Sequence, residues 1–387
     1  MSTSRRVSMA GLAAQLAPLR GEIAEALEGV LATQRFIGGP EVEALETAIA
    51  GLCEREFAVA CGSGSDALLL SLQAAGIGPG DEVLCPAFTF FATAGAVARL
   101  GARPVFVDVD PATLDVGPEQ AEAGWAVGER PRAIVPVDLF GRVAPIASLI
   151  EWAGARDIAL VEDAAQAIGA RDAEGAPAGS RGLAGCFSFF PSKNLGAFGD
   201  GGLVATDSAP LAEILRALRD HGRGPDGRHH RVGTNSRLDA LQAAVLRVKL
   251  AHLDRWTRRR QEHAADYDRR FSGLGARPGV PVDADHPLST PPAAPAPGMH
   301  VYNQYVVRVH APRRDGLRAA LARAGVETRI YYERGLHHEP CFAGAPAAPL
   351  PATDAACRET LALPVHPALE PADREYVVER VARFLFG

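Results

Sequence analysis

The chain has 387 residues, 47% of them hydrophobic, and a formal charge of −6 from 40 Lys+Arg against 46 Asp+Glu. That length supports a large domain with a smaller one beside it, while the charge balance gives no footprint for a nucleic-acid partner. No apolar run reaches the 18 residues a membrane span needs, and six scattered cysteines (Cys53, Cys61, Cys85, Cys186, Cys341, Cys357) with no C-x-x-C pair predict reduced thiols, no metal and a cytoplasmic setting.

The N-terminal stretch MSTSRRVSMAGLAAQLAPLRGE has a basic pair but only a short, interrupted apolar run, and reads as an opening helix rather than a signal peptide. Strand-like and helix-like segments then alternate from about residue 57 to 250. FAVAC (57–61), EVLCP (82–86), PVFVDV (104–109), RAIVPV (132–137), ALVED (159–163), CFSFF (186–190) and GGLVATD (201–207) read as strands. Helices are predicted from Asp66, near 90–100, at 117–127, at 145–156 and near 209–220. Short apolar strands separated by helices predict an α/β fold whose mostly parallel sheet is covered on both faces. Residues 237–272 read as one long helix capped at Asn235/Ser236, and the Pro/Ala-rich stretch 276–298 as a linker or surface loop. A strand at 300–309, a helix at 313–324, a strand at 327–332 and a last helix at 371–386 predict a small C-terminal α+β domain. The division is placed at 1–255 and 256–387.

Several segments carry candidate chemistry. In CGSGSDALLL (61–70) a strand runs through Gly62, Ser63, Gly64 and Ser65 into a helix. Small residues admit an anion to the backbone N–H groups, and the helix N-terminus adds partial positive charge. A phosphate cup and a plain strand-to-helix turn both fit. So does a dinucleotide fingerprint (Gly62, Gly64, Ala67), although the next strand ends Cys85-Pro86-Ala87-Phe88 without the acid a ribose needs. Phe90, in the aromatic cluster of PAFTFFATAGA (86–96), is placed to stack on a flat ring or to pack in the core. In VEDAAQAIGA (161–170), Glu162 and Asp163 end an apolar strand. Asp163 suits a pyridinium N–H, or a turn cap, and Gln166 follows one turn on.

Lysine occurs only at positions 193 and 249, against 38 arginines. Lys193 stands in SFFPSKNLGAFGDGG between apolar flanks, where desolvation lowers an amine's pKa and makes it a nucleophile. Arginine cannot form a Schiff base. Ser188 lies close by as a phosphate donor. Lys249, in AAVLRVKLAHL, reads as a solvated helix face. His229 and His230 lack further ligands at metal spacing.

Together these segments resemble the DegT/DnrJ/EryC1/StrS sugar aminotransferase family, within the fold-type I enzymes that use pyridoxal 5′-phosphate. The resemblance runs from RFIGGPEVEALE (35–46) to LALPVHPAL (361–369) and rests on GSGSDAL, EDAAQAIGA, SFFPSKNLGAFGDGG and GTNSRLDALQAA in combination. It implies that Lys193 bonds the cofactor, Asp163 pairs with its ring nitrogen and Gln166 lies near its 3-hydroxyl. It further implies that Gly64, Ser65, the Asp66 amide and Ser188 meet the phosphate and that Phe90 stacks on the ring. Asn235 would reach the cofactor of a neighbouring subunit, making a homodimer with shared sites. The lysine favours transamination over the dehydrating branch of the family, which has histidine there. The substrates implied are glutamate and a nucleotide-linked keto sugar, 3-keto and UDP-linked ahead of 4-keto. Arg237, His300, Tyr302, Tyr332 and His337 are its candidate contacts. The chain departs from the family in two places: Y-P-x-P-L-H stands as Tyr332-Glu333-Arg334-Gly335-Leu336-His337, and an acidic D-L near the start as Gly11-Leu12. A non-catalytic regulator that binds the same cofactor, and an NAD(P)-dependent oxidoreductase, are the alternatives.

Overall fold

The computed structural model describes residues 5–294 and 298–387; the first residues of the opening segment and 295–297 of the Pro/Ala-rich stretch lie outside the described residues. Helices α1 (Leu12–Leu16), α2 (Arg20–Thr33) and α3 (Pro40–Leu52) lead into the main sheet. Its strands are β1 (Phe57–Cys61), β2 (Glu82–Pro86), β3 (Arg103–Val107), β4 (Pro131–Ile134), β5 (Ala159–Asp163), β6 (Ala184–Ser188) and β7 (Gly202–Thr206), in the order β1-β7-β6-β5-β4-β2-β3. Only β7 runs against its neighbours β1 and β6; the other pairings are parallel.

The strands are buried because the sheet is covered on both faces. Along β1, Ala58 and Ala60 face one cluster while Val59 and Cys61 face the other, as a period of two requires. Helices α4 (Gly64–Ala74), α5 (Ala92–Arg99) and, after β7, α8 (Ala209–Leu218) cover one face through Leu68, Ala94 and Leu211. The other face is covered by α3, α6 (Pro118–Val127), α7 (Ile146–Gly154) and α9 (Ala240–Leu250), through Leu45, Ala121, Leu149 and Leu246. After α10 (Leu253–Ser272), four short strands form the second sheet: β8 (Arg277–Pro278), β9 (Leu288–Thr290), β10 (Tyr305–Val309) and β11 (Thr360–Leu363), ordered β11-β10-β9-β8. Helices α11 (Ala311–Arg323) and α13 (Pro371–Leu385) pack on this sheet around Leu317, Tyr305 and Val377, and α12 (Pro351–Glu359) precedes β11.

The expected long helix at 237–272 is two helices broken at Ala251–His252, and its cap is Asp239. Residues 235 and 236 are needed elsewhere: the Gly62 amide bonds the Ser236 carbonyl, and Asn235 bridges Asp220. The strand expected at 327–332 is reduced to one bridge between Arg329 and Ala362. The strand expected from 300 begins at Tyr305, since 300–304 turns back to bond Gly141 and Phe140. The stretch read as a linker contributes β8 and β9. Among the described residues no helix is long and apolar enough to cross a membrane.

Candidate active site

The carboxyl ends of β5 and β6 and the turn from β1 into α4 open onto one cavity of about 400 Å³, in the position where parallel sheets hold ligands. Lys193 and Asp163 both line it.

Lys193 lies in the β6–β7 loop, which is fixed on several sides. Its own amide donates to the Phe190 carbonyl (2.9 Å) and Ala197 N–H to Phe189 O (2.7 Å). Asn194, buried, donates to Val301 O (3.0 Å) and accepts from Asn303 (3.2 Å), which ties the loop to the segment before β10. Phe198 N–H donates to Gln242 Oε1 (2.8 Å). Lys249 is not on a solvated helix face: it is buried at 3% exposure, because its Nζ donates to the Gly196 carbonyl under this loop and lies over the Phe198 ring. Both lysines of the chain therefore serve the same β6–β7 loop, Lys193 within it and Lys249 bonded to it.

Desolvation lowers the Lys193 amine to about 8, with the Asp163 charge opposing the shift. At pH 7 that leaves roughly 10% of the amine unprotonated, about 200-fold more than for an ordinary lysine near 10.4. Asp163 is pushed above the usual carboxylate range by burial, and the Thr93 hydroxyl, the Ala165 amide and the Lys193 charge pull it back. Its Oδ2 accepts from Thr93 Oγ1 (2.8 Å) and its Oδ1 from Ala165 N–H (3.3 Å). A buried carboxylate held like this needs a cationic partner, and a ring N–H⁺ in the cavity would supply one. Glu162 points to the other face and accepts the amides of Gly179, Arg181 and Gly182, so its role is to hold the 179–182 turn. Gln166 accepts from Phe140 N–H (2.7 Å) and donates to the Tyr332 hydroxyl (3.2 Å), which seats it on the cavity wall.

Opposite the amine lies the N-terminus of α4. Ser63 caps it, and its Oγ accepts the Asp66 amide (3.1 Å). That amide, expected to meet a phosphate, is thus already used by the cap. The Gly64 and Ser65 amides remain without partners among the described residues, as first-turn amides do. They face the cavity beside the Ser65 and Ser188 hydroxyls. The Asp66 carboxylate accepts from Ser236 Oγ (2.9 Å) and stays outside the cup. Gly64 is required by closeness: a Cβ there would lie 2.6 Å from Ser188 Cβ. Gly64→Ala will therefore push α4 from β6, destabilise the fold by about 1–3 kcal/mol and weaken phosphate binding. Thermal melting together with inorganic-phosphate titration checks this, and unchanged values in both would refute the cup.

Phe90 stands at the mouth, 57% exposed and 6.5 Å from the Tyr332 ring. Among the expected sugar contacts only Tyr332 lines this cavity. Arg237 pairs with Asp220 (2.8 Å) at a separate hollow. His300 and Tyr302 stack on each other, centroids 3.9 Å apart, and His300 is buried. His337 turns toward Asp354. Asn235 is exposed and does not line its own chain's cavity. Thr89, Thr93, Ser192, Gln304 and Tyr331 belong to the site or its support without having been singled out. Thr89 and Thr93, four apart where a helix starts and bonded to each other (3.2 Å), carried a readable signal. Gln304 and Tyr331 come from distant segments and carried none. A larger hollow of about 640 Å³, between 110–120 and 142–151, contains neither Lys193 nor Asp163 and holds none of this chemistry.

The chain matches the DegT/DnrJ/EryC1/StrS aminotransferase family over residues 18–382. It is 45% identical to a pleiotropic regulatory protein of Geobacillus stearothermophilus, covering 98% of both chains. It is 41% identical to the UDP-N-acetyl-3-dehydro-alpha-D-glucosamine 3-aminotransferase of Acidithiobacillus ferrooxidans, covering 99% of this chain and 98% of that one. In structure it resembles DesV of Streptomyces venezuelae (TM-score 0.90, 40% identity, 99% of both chains). It also resembles NtdA of Bacillus subtilis, solved with the cofactor PMP (TM-score 0.89, 27% identity, 100% of this chain and 86% of that one).

Proposed function

Because the chain belongs to the DegT/DnrJ/EryC1/StrS aminotransferase family, we propose that it moves an amino group from glutamate to carbon 3 of a nucleotide-linked keto sugar, with a UDP sugar as the first substrate to try. The chain is a transaminase of this family and its cofactor is pyridoxal 5′-phosphate. The residues present fit that group. The cavity holds one amine with a lowered pKa, one buried carboxylate and a cup of free amides and hydroxyls that a Cβ at Gly64 would close. Lys193 would bond the aldehyde, Asp163 would pair with the ring nitrogen, and Gly64, Ser65 and Ser188 would take the phosphate.

When bound, the cofactor supplies an aldehyde that joins amine nitrogens and a ring that accepts electron density. The chain's own groups do the remaining work. Asp163, fixed by Thr93 and Ala165, holds a proton on the ring nitrogen through the reaction. Once the donor's nitrogen has taken its place, the Lys193 Nζ is released, and its lowered pKa supplies the neutral amine that would take the proton from the α-carbon of glutamate. The anchored loop keeps that Nζ within the cavity, so the same atom can return the proton. Tyr332 and Gln166 form one hydrogen-bonded wall against which the sugar would lie.

The carbon-3 reading is supported by relatives whose names place the amine or keto group at that carbon of dTDP- or UDP-linked sugars. The single observation that carries the reaction class is that Lys193 and the buried Asp163 line the same cavity. A second reading, a regulator that binds the cofactor, is favoured by the regulatory name of the relative at 45% identity. The test is a set of 3-keto and 4-keto nucleotide sugars with glutamate, read by mass for the amino product. Amination of a 3-keto sugar at least 10-fold faster than its 4-keto isomer is the expected result. The reverse order overturns the ring position, and no amination of any sugar supports the regulator.

A further inference from the structure

Away from the cavity, His337, His338 and Asp354 bring one ligand atom each into a single cluster. Asp354 Oδ1 lies 3.4 Å from His337 Nε2 and 3.2 Å from His338 Nε2, and the three atoms lie within 4.8 Å of one another. A tetrahedral zinc ion with bonds of 2.0–2.1 Å requires ligand atoms about 3.3–3.4 Å apart along each edge. Two of the edges, at 3.4 and 3.2 Å, are close to that length, and the third lies within 4.8 Å. Imidazole and carboxylate are both zinc ligands, and three protein ligands leave a fourth position for water.

The arrangement is held from both sides. On one, the Leu336 amide donates to the Ala87 carbonyl (2.8 Å) just past β2, and His338 N–H donates to Gly335 O (3.0 Å), which sets the turn carrying the two imidazoles. On the other, Asp108, just past β3, accepts the amides of Ala352 (2.9 Å) and Thr353 (2.7 Å) and the Thr353 hydroxyl (2.8 Å), which fixes the first turn of α12 and with it Asp354. Gly335 stands where the resembled pattern has its second proline. A Cβ at 335 would lie 2.6 Å from His337 Cε1 and 2.7 Å from its Nδ1. The imidazole therefore lies over position 335 because that residue has no side chain. The departure at 335, His338 beside His337 and an acid at 354 act together.

We propose that His337, His338 and Asp354 bind one divalent transition-metal ion of the zinc class. The site ties the 331–338 segment, whose Tyr331 and Tyr332 line the Lys193 cavity, to α12. Its role is to clamp the cavity wall, and no step of the transfer passes through it.

The untagged full chain with its cofactor bound, titrated with zinc chloride by calorimetry and with Co²⁺ by visible absorption, tests this. One zinc per chain is expected, with a tetrahedral Co²⁺ spectrum and a melting temperature raised by a few degrees at saturating zinc. His338→Ala and Asp354→Asn, both at partly exposed positions, should each weaken zinc binding at least about 10-fold. His230→Ala, which removes the exposed His230–Asp226 pair, should leave it unchanged. Circular dichroism of each variant separates loss of ligand from loss of fold, and if one variant unfolds the other decides. Wild-type chain with no tight site, or zinc binding that survives both substitutions, overturns the proposal, as does binding lost in His230→Ala instead.

Discussion

Lys193→Arg will reduce amine transfer by at least about 10⁴-fold while the chain keeps its fold. Arginine retains positive charge and reach, so surface electrostatics and the anchors at Asn194, Ala197 and Gly196 change little. What is lost is chemical. A guanidinium does not deprotonate in this range, so it neither bonds an aldehyde nor accepts a proton from carbon. In the proposed reaction one residue serves as nucleophile and base, so no neighbour can share the loss. Lys249, also lowered to about 8, is held against Gly196 and does not line the cavity. Single-turnover assay with glutamate measures the effect, and circular dichroism checks the fold. Residual activity within 100-fold of wild type would remove Lys193 from its assigned role.

Asp163→Asn is the second large effect, on the order of 10²–10³-fold in turnover. Asparagine matches the shape of aspartate, and its one carbonyl oxygen can keep the Ala165 amide bond while its NH2 donates to the Thr93 hydroxyl in place of accepting from it. It cannot carry the charge that keeps a proton on a ring nitrogen. The loss should fall on kcat more than on phosphate affinity, since the cup at Gly64, Ser65 and Ser188 is untouched. The substitution also removes the carboxylate that raises Lys193 toward its ordinary value. The amine should therefore titrate at lower pH than in wild type, and the pH at which the apo chain takes up cofactor should fall with it. If turnover drops but that pH rises, the two side chains are not coupled as described.

Much of this site was legible before any coordinates. Lys193 was marked by chain-wide scarcity of lysine and by apolar flanks, and Asp163 by its place at the end of an apolar strand; both are local signals. The sheet strands were legible for the same reason, since burial on both faces leaves short apolar runs. What stayed hidden depended on contacts between distant residues. Lys249 sits among helix residues that look solvated, and its burial follows from a carbonyl 53 residues earlier in the chain. The Asp66 amide looked free because nothing in the sequence says that Ser63 turns its hydroxyl onto it. The 327–332 segment has strand composition, but it meets the edge strand β11 only at the paired amides and carbonyls of Arg329 and Ala362 and does not continue along that edge. Of the five sugar contacts expected from their segments, four face other partners within the chain: His300 and Tyr302 stack on each other, Arg237 pairs with Asp220 and His337 with Asp354.

The most direct measurement is an absorption titration of the purified chain, loaded with pyridoxal 5′-phosphate, against glutamate alone. The account predicts a yellow chromophore that bleaches as glutamate is added, with one 2-oxoglutarate formed per Lys193-bound cofactor. A chromophore that glutamate leaves unchanged, or a chain that takes up no cofactor, would contradict it.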